Sequence, residues 1–599
     1  MQPTMEILAR ISKNSLANKA EVFTKLYRYL LRPDIYFVAY KNLYANSGAA
    51  TKGVNGDTAD GFSEAKIARI IQSLTNETYQ PSPVRRTHIK KKDNLKKERP
   101  LGIPTFTDKL VQEVLRMVFE AVYEPVFLPV SHGFRPRKSC HTALVSLKKE
   151  FTGARWFVEG DIKGCFDTID HAVLVGLLNK KVKDARLIKL IYKFLKAGYL
   201  EDWRYQKTYS GTPQGGIISP LLANIYLHEL DIFVMKLKAE LDKTSVQKVN
   251  LEYRNTQSRS ERLSKWANAA EGPERTRLID EYNANQKRLL KIPYKLQTDK
   301  KLKYIRYADD FIIGVNGSRE DCLWIKSKLS EFIDEVLKMQ LSEEKTLITH
   351  SSECARFLGY DVRVRRSGII KRSKSGKYKR RSLNNKTELL VPLNDTIHKF
   401  IFAKKIAIQK DGGKFFPERR SALLHLTDLE IVSVYNAELR GICNYYGMAS
   451  NFHKLNYFAY LMEYSCLKTL ANKHKSKISK IKTMFKDGNG KWGVPYETQR
   501  GKKRRYFAKY SDCKGREYPT DVISNAAAVY GHSVNALENR LKAKVCELCG
   551  TAESEHYEIH HVNKVKNLKG KQTWEKMMIA KRRKTLVVCI KCHHEIHHQ

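Results

Sequence analysis

The sequence predicts a chain of several α+β domains, on three observations. Its 599 residues exceed what one hydrophobic core organises. Two aromatic and β-branched strands, Lys303-Tyr304-Ile305-Arg306 and Phe311-Ile312-Ile313-Gly314-Val315, bracket Tyr307-Ala308-Asp309-Asp310 between long stretches of helical period. Two C-x₂-C pairs, Cys546/Cys549 and Cys589/Cys592, enclose a C-terminal piece with too little apolar surface to hold itself together.

Lys and Arg number 109 against 63 Asp and Glu, a formal charge of +46. That charge opposes compactness unless a polyanion neutralises it. The basic residues are spread along the chain, so a long nucleic-acid footprint is expected. No apolar run approaches about 18 residues, no lipidation signal occurs, and Met1 to Ala20 lacks the apolar core of a signal peptide. A cytoplasmic protein with no membrane partner is expected. Seven cysteines (140, 165, 322, 354, 443, 466 and 513) stand singly and read as buried thiols. The two C-x₂-C pairs argue instead for zinc.

In chain order, residues 1–80 read as helices, with Ile7, Ile11, Val22, Leu26 and Leu30 as a core recurrence. The run Val84 to Lys92, then Lys96, Lys97 and Arg99 before Pro100-Leu101-Gly102-Ile103-Pro104, reads as a basic hairpin. It is either a phosphate clamp or an edge blunted by lysines. Asp108 to Tyr123 has helical period, and Ser131 to Pro136 is a loop carrying Phe134 and Arg135. Trp156 to Lys163 reads as a buried strand ending at Asp161. Ser210 to Gly216 is a Gly/Pro loop, after which Ser219-Pro220 supplies an N-cap and an N1 proline. Residues 233–300 are charged and read as an inserted, solvated helical hairpin. Beyond the Asp309-Asp310 hairpin come a helix from Asp321, the segment around Lys345 and a strand at Arg356 to Tyr360. Ten Lys/Arg with no acidic residue between Arg363 and Arg381 suggest a nucleic-acid tether. Thr427 to Glu430 fits a capping box, followed by Ile431, Tyr435, Leu439, Ile442 and Tyr446 at helical spacing. Residues 476–540 are basic and turn-rich.

Chemistry concentrates at Asp309-Asp310. Adjacent carboxylates at a hairpin tip repel each other, and a divalent cation removes that cost. Mg²⁺ takes a few carboxylates and keeps phosphate oxygens as its other ligands, so this is a candidate for two-metal phosphoryl transfer. An Asp pair alone reads as an ordinary turn. Asp161 supplies the third carboxylate.

Asp161 with Phe166-Asp167, then Pro213-Gln214-Gly215-Gly216, then Tyr307-Ala308-Asp309-Asp310 together resemble a reverse transcriptase palm. The Leu-Gly-Ile-Pro block, the segment Arg440-Gly441-Ile442-Cys443-Asn444-Tyr445-Tyr446 and the C-terminal cysteine and histidine cluster are similar to group II intron-encoded proteins over essentially the whole chain. The resemblance implies a right-hand polymerase: fingers and a palm with an antiparallel sheet over 1–385, including the 1–80 extension and the 233–300 insertion, then a helical thumb or maturase domain over 386–475. A DNA-binding region over 476–540 and a zinc-stapled ββα-metal HNH endonuclease over 541–599 follow. It implies that Asp161, Asp309 and Asp310 hold Mg²⁺ and that Phe166 is the ribose gate. Gln214 would line the nascent-pair pocket, Arg99 would contact triphosphate or template, and Lys345 would donate a proton to the leaving pyrophosphate. Intron RNA, target double-stranded DNA and deoxynucleoside triphosphates are the implied partners. Oligomeric state stays open, a homodimer among the alternatives.

In the tail, Cys546, Cys549, Cys589 and Cys592 can close one tetrahedral Zn²⁺ site. His593 and His597 share a helix face at i, i+4. By resemblance to the HNH site, His561 is the general base, and His560, His593 and His597 surround the catalytic metal. Thr585 stands where the family usually has Asn, and its hydroxyl is expected to bond backbone near the base. Two other functions compete: an RNA-folding maturase with a vestigial polymerase, and a reverse transcriptase of another lineage. The intact carboxylates and His561 argue against the first, and the segments after residue 385 against the second.

Overall fold

A computed structural model describes the chain except for residues 1–2, 47, 91–97, 202–203, 208–210, 212–214, 243–248, 295–298, 368, 373–378, 381–383, 411, 499–500, 514–535 and 599. Through residue 350 the strands are β1 (Phe62–Ser63), β2 (Val84–Lys90), β3 (Glu98–Ile103), β4 (Trp156–Asp161), β5 (Tyr199–Glu201), β6 (Arg204–Gln206), β7 (Lys301–Tyr307), β8 (Asp310–Asn316) and β9 (Ile348–His350). Eight of them form two four-stranded sheets, ordered β3-β2-β5-β6 and β7-β8-β4-β9.

The second sheet positions the carboxylates, and its sequence explains its place. Successive residues point to opposite faces. Val158, Tyr304, Phe311 and Ile313 enter one core, with the N-terminal helices and the helices Phe106–Tyr123 and Ser219–Leu241. Phe157, Ile305 and Ile312 enter a second, with Phe357 to Val364 and the helices Asp428–Tyr445 and Leu455–Lys473. Both faces are covered, which is why the strand flanks read as nearly continuous apolar runs.

The β2–β3 hairpin forms as expected, with Ile89 paired to Arg99; its tip, including Lys91, Lys92, Lys96 and Lys97, lies outside the described residues. The helix from Ser219 runs on to Leu241, so the inserted hairpin is narrower than 233–300: its two helices are Leu251–Ala269 and Gly272–Leu289. Thr427 and Glu430 close the expected capping box. Tyr445 and Tyr446, at the end of that helix, tie it to the Leu358–Gly359 turn. Tyr445 Oη donates to Leu358 O at 2.6 Å, Tyr446 Oη to Gly359 O at 3.0 Å, and His141 and Tyr360 both reach Tyr445 O. Tyr457 and Tyr460 remain exposed, with near-parallel rings 6.3 Å apart. Within 476–540, Gly493–Thr498 pairs with Gly501–Tyr506 to form a basic hairpin, held to the Asp428–Tyr445 helix by Asn436 donating to Tyr506 O.

The tail is a ββα unit: Tyr557–His561 pairs with Thr585–Cys589, and the helix Ile590–His598 follows. Strand β1 adds to its free edge, with Phe62 opposite Ile559 and Ser63 opposite Glu558. The 1–80 extension and the tail therefore share a sheet and a core, a juxtaposition with no sign in the local sequence. No helix among the described residues is long and apolar enough to cross a membrane.

Candidate active sites

Asp161 ends β4 and faces Asp310, the first residue of β8, across the sheet. Asp309 sits in the two-residue turn between β7 and β8, where Ala308 takes φ +56°. The turn is held from behind. Arg306, fully buried, donates to Ala308 O at 2.8 Å and pairs with Asp231 through Nε and Nη2, each at 2.6 Å. Tyr304 Oη donates to the same Asp231 at 2.8 Å. Asn224 donates to Gly133 O, and Gly133 packs so tightly on the turn that a Cβ there would lie 2.2 Å from Ala308 N. Losing either member of a buried ion pair leaves an uncompensated charge and costs about 3–5 kcal/mol. The Arg306–Asp231 pair therefore fixes the backbone that carries Asp309 and Asp310. The sequence reading missed it; an Arg inside an otherwise buried strand was the available signal.

The electrostatics agree with a cation site. Burial, and then the charges of Asp161 and Asp309, push the Asp310 carboxyl up to about 8. Burial and Asp161 also raise Asp309, against the lowering charges of Lys345 and Arg99. Two carboxyls raised in this way beside the Asp161 carboxylate are suited to divalent metal. Lys345 Nζ lies 2.6 Å from Asp161 Oδ2, so this lysine is brought to the carboxylates from a distant segment. Arg99, exposed on β3, acts on Asp309 through its charge.

Phe166 lies on the single helical turn Cys165–Thr168 that follows Asp161, half-buried, with its ring edge-on to exposed Phe134 at 6.2 Å. Gly211 packs onto this turn: a Cβ would lie 2.7 Å from Phe166 O and Asp167 O. Gly215 (φ +111°) packs on Gly102, where a Cβ would lie 2.4 Å from the carbonyl oxygen. Gly211 thus lies against the Phe166 turn and Gly215 against the strand that carries Gly102. Gln214 itself lies outside the described residues. Arg135, read as a loop arginine, is buried and paired with Glu124 at 2.8 Å, so it organises the loop.

In the tail, the ligand atoms of Cys546, Cys549, Cys589 and Cys592 all lie within 4.8 Å of one another. Within each pair the second cysteine's N–H points at the first sulfur at 3.5 Å, which stabilises thiolate character there. Cys549 and Cys589 sulfurs are 3.8 Å apart. About 3.8 Å is also the edge of a tetrahedron with ~2.3 Å metal–sulfur bonds, so the set fits zinc.

The second cluster contains a residue that sequence reading did not find. His560, His593 and His597 gather as expected, and Asp60 joins them, with all ligand atoms within 4.8 Å. His597 Nε2 is 2.7 Å from Asp60 Oδ2, and His593 Nε2 and His560 Nδ1 are 3.3 and 3.2 Å from Oδ1. The His560 ring is buried, with Nδ1 against Asp60 and Nε2 without a hydrogen-bond partner among the described residues. A buried imidazole nitrogen left so, within such a cluster, fits a metal ion. Glu558 takes the other nitrogen of His593 at 2.5 Å, the carboxylate support that orients a metal-binding imidazole. Burial alone would raise the Asp60 carboxyl, but the His560 and His593 rings outweigh it and hold it well below the usual range. Burial disfavours charge on His593, yet Asp60 and Glu558 push it up to about 9.

His561 neighbours the cluster, and its backbone N–H donates to Asp60 Oδ1 at 2.7 Å. Its ring Nε2 lies 3.0 Å from Tyr44 O, and burial lowers its pKa, which keeps the imidazole neutral as a base requires. Thr585 sits directly across the strand pair from His561. Its hydroxyl does not serve the base: it accepts from Arg540 Nη1 at 3.3 Å, while Arg540 also pairs with Glu547. This corrects the expectation for Thr585, because the strand pairing turns the hydroxyl toward the arginine.

Paired carboxylates on a sheet hairpin and a histidine-rich ββα cluster suited to a metal ion, on one strongly basic chain, are the features of a nucleic-acid-processing enzyme. Three family models match: reverse transcriptase (RNA-dependent DNA polymerase) over residues 89–244, type II intron maturase over 384–515, and AI2M/AI1M-like HNH endonuclease over 546–593. The chain is 65% identical to the group II intron-encoded protein LtrA of Lactococcus lactis subsp. cremoris, over 100% of both. It is 35% identical to an uncharacterised 91 kDa protein in the cob intron of Schizosaccharomyces pombe, over 95% of this chain and 69% of that one. It is 26% identical to nuclear intron maturase 2 of Arabidopsis thaliana mitochondria, over 67% of this chain and 57% of that one. The chain belongs to the group II intron-encoded proteins. It is a multifunctional member with reverse transcriptase, maturase and HNH endonuclease domains.

Proposed function

We propose that the three activities divide among named residues, and that one observation carries the polymerase assignment: Asp161 and Asp310 pair across the sheet beside Asp309, with Lys345 already at Asp161. Asp161, Asp309 and Asp310 hold Mg²⁺, which when bound supplies activation of the primer 3′-hydroxyl and neutralises the leaving pyrophosphate. Lys345 stands where it can give a proton to that leaving group, and Arg99 orients the triphosphate or template. The Gln214 loop lines the nascent-pair pocket. The right-hand layout, with fingers and palm to residue 385 and a helical thumb to 475, is the arrangement that would wrap primer and template around this sheet.

Phe166 selects deoxynucleotides by placing its ring against the 2′ position. Phe166→Val should lower discrimination against ribonucleotides at least about tenfold, ~1.4 kcal/mol, with deoxynucleotide use largely kept. Single-nucleotide incorporation with each class measures it; unchanged discrimination assigns the gate to another residue.

Cys546, Cys549, Cys589 and Cys592 hold structural Zn²⁺. His560, His593 and His597 hold a divalent ion, Mg²⁺ in the cell, whose chemistry when bound is to polarise the scissile phosphate of target DNA. His561 takes the proton from the attacking water. The nick leaves the 3′-hydroxyl that the polymerase centre extends on the intron RNA.

The intron RNA is held chiefly through charge and shape, and splicing assistance follows from holding its active fold. Binding should weaken about 10³-fold or more between ~50 and ~200 mM salt. Reversing charge at Lys90, Lys91 and Lys92 should lower affinity and the salt slope together. Filter binding at graded salt tests this, and a flat salt dependence contradicts it. The chain works as a cytoplasmic ribonucleoprotein in this reading.

A further inference from the structure

We propose that the tail docks on the N-terminal domain as a latent nuclease, in which Asp60 takes a coordination position of the nuclease metal that the scissile phosphate needs and must leave before DNA is cut. The inference rests on reading His560, His593 and His597 as the metal ligands and His561 as the base. Mg²⁺ takes six ligands, and a catalytic site must leave some of them to water and to an oxygen of the scissile phosphate, so each protein donor beyond the three histidines removes one such position. Here the fourth donor is present. Asp60 brings one carboxylate oxygen to 2.7 Å from His597 and the other to 3.2–3.3 Å from His560 and His593.

The same contact covers the base. Asp60 Oδ1 accepts from the His561 N–H, and the His561 ring is turned onto Tyr44 O. Strand β1 continues the seal along the edge of Tyr557–His561, with Gly61 N donating to Ile559 O at 3.0 Å. Phe62 is buried between Tyr40, 4.0 Å away ring to ring, and the tail core containing Ile559. A phosphodiester approaching His561 and the metal meets this N-terminal segment. The loop that presents Asp60 is itself anchored to the N-terminal domain, since Tyr40 Oη donates to Ala59 O and Ala59 N to Ala49 O. Asp60 therefore belongs to that domain and leaves with it when the tail undocks. Metal and docking favour each other by linkage, and target DNA, which competes with Asp60 for the metal, opposes docking.

The test uses full-length protein, wild type beside Asp60→Asn and Asp60→Ala. Asn keeps an acceptor for the His561 N–H, so the fold is retained while the carboxylate ligand is lost. Three quantities are read: affinity for Mn²⁺ at the tail, amide exchange at Gly61 and His561 with and without Mn²⁺, and nicking of supercoiled plasmid DNA. The expected result is Mn²⁺ affinity lower by about tenfold or more, Mn²⁺-induced protection of the two amides in wild type and its loss in both variants, and faster nicking by the variants. Slower nicking together with weaker Mn²⁺ binding would overturn the proposal, because Asp60 would then be a ligand of the working site. Unchanged Mn²⁺ affinity and exchange would overturn it as well. If no protein nicks, yet affinity and exchange respond to Asp60 as expected, the nuclease reading fails while metal-linked docking stands.

Discussion

Replacing Asp309 and Asp310 together by Ala is expected to lower RNA-templated DNA synthesis by at least about a thousandfold, ~4 kcal/mol of barrier. Both lie at the turn that Arg306 and Asp231 hold from behind, and Asp310 faces Asp161 directly. On the proposed assignment the change takes away two of three metal ligands, and with them the bound charge that would activate the primer and stabilise the leaving group. The fold should not suffer, because burial and the charge of Asp161 already raise both carboxyls. Thermal unfolding without metal should therefore stay at or above the wild-type midpoint. Splicing assistance should persist, since it draws on the basic surface. Primer extension on poly(rA)/oligo(dT), beside a splicing assay of the same preparation, checks both. Loss of splicing in a folded double variant would contradict the division of roles.

The second large effect lies in the tail. His561→Ala removes only the proposed base and should slow nicking of target DNA about 10²- to 10⁴-fold, with zinc still bound. Cys549→Ser breaks the cysteine set, whose metal supplies binding energy that is also folding energy, about 10–16 kcal/mol for comparable zinc peptides. That variant should lose zinc and unfold the ββα unit. Neither change touches Asp161, Asp309 or Asp310, so primer extension on an artificial template should continue in both. A zinc assay and strand-specific nicking with the purified ribonucleoprotein separate the two effects. Nicking by His561→Ala at the wild-type rate would make the tail a zinc-stapled DNA-binding module.

What the sequence made legible is what short-range chemistry encodes. The Asp309-Asp310 hairpin, the capping box at Thr427, the paired cysteines and the i, i+4 histidines each announce themselves within a few residues, and each stands where its pattern placed it. Lys345 and Arg99 came from the family resemblance, and the structure brings one to Asp161 and the other within electrostatic reach of Asp309. Illegible were the pairings made only by tertiary packing. Asp231 looks like any polar residue on an amphipathic helix until Arg306 is seen buried against it. Tyr446 reads as part of a helix's core stripe, and nothing local tells that it and Tyr445 bond the Leu358–Gly359 backbone. Asp60 and His561 lie so far apart in the chain that no periodicity or spacing connects them; only the β1 pairing with the tail does. The Thr585 hydroxyl was misjudged because its orientation depends on Arg540, on a separate helix.

The central claim is that one chain carries two independent metal centres acting in series, the tail making the primer that the Asp161–Asp309–Asp310 centre extends. The most direct measurement is target-primed DNA synthesis by ribonucleoproteins reconstituted with His561→Ala or with Asp309→Ala/Asp310→Ala, on intact and on pre-nicked target DNA. The His561 variant should make no DNA on the intact duplex and regain near-wild-type synthesis on the nicked one, while the double Asp variant should nick normally and extend neither. Failure of the pre-nicked substrate to rescue the His561 variant would contradict the claim.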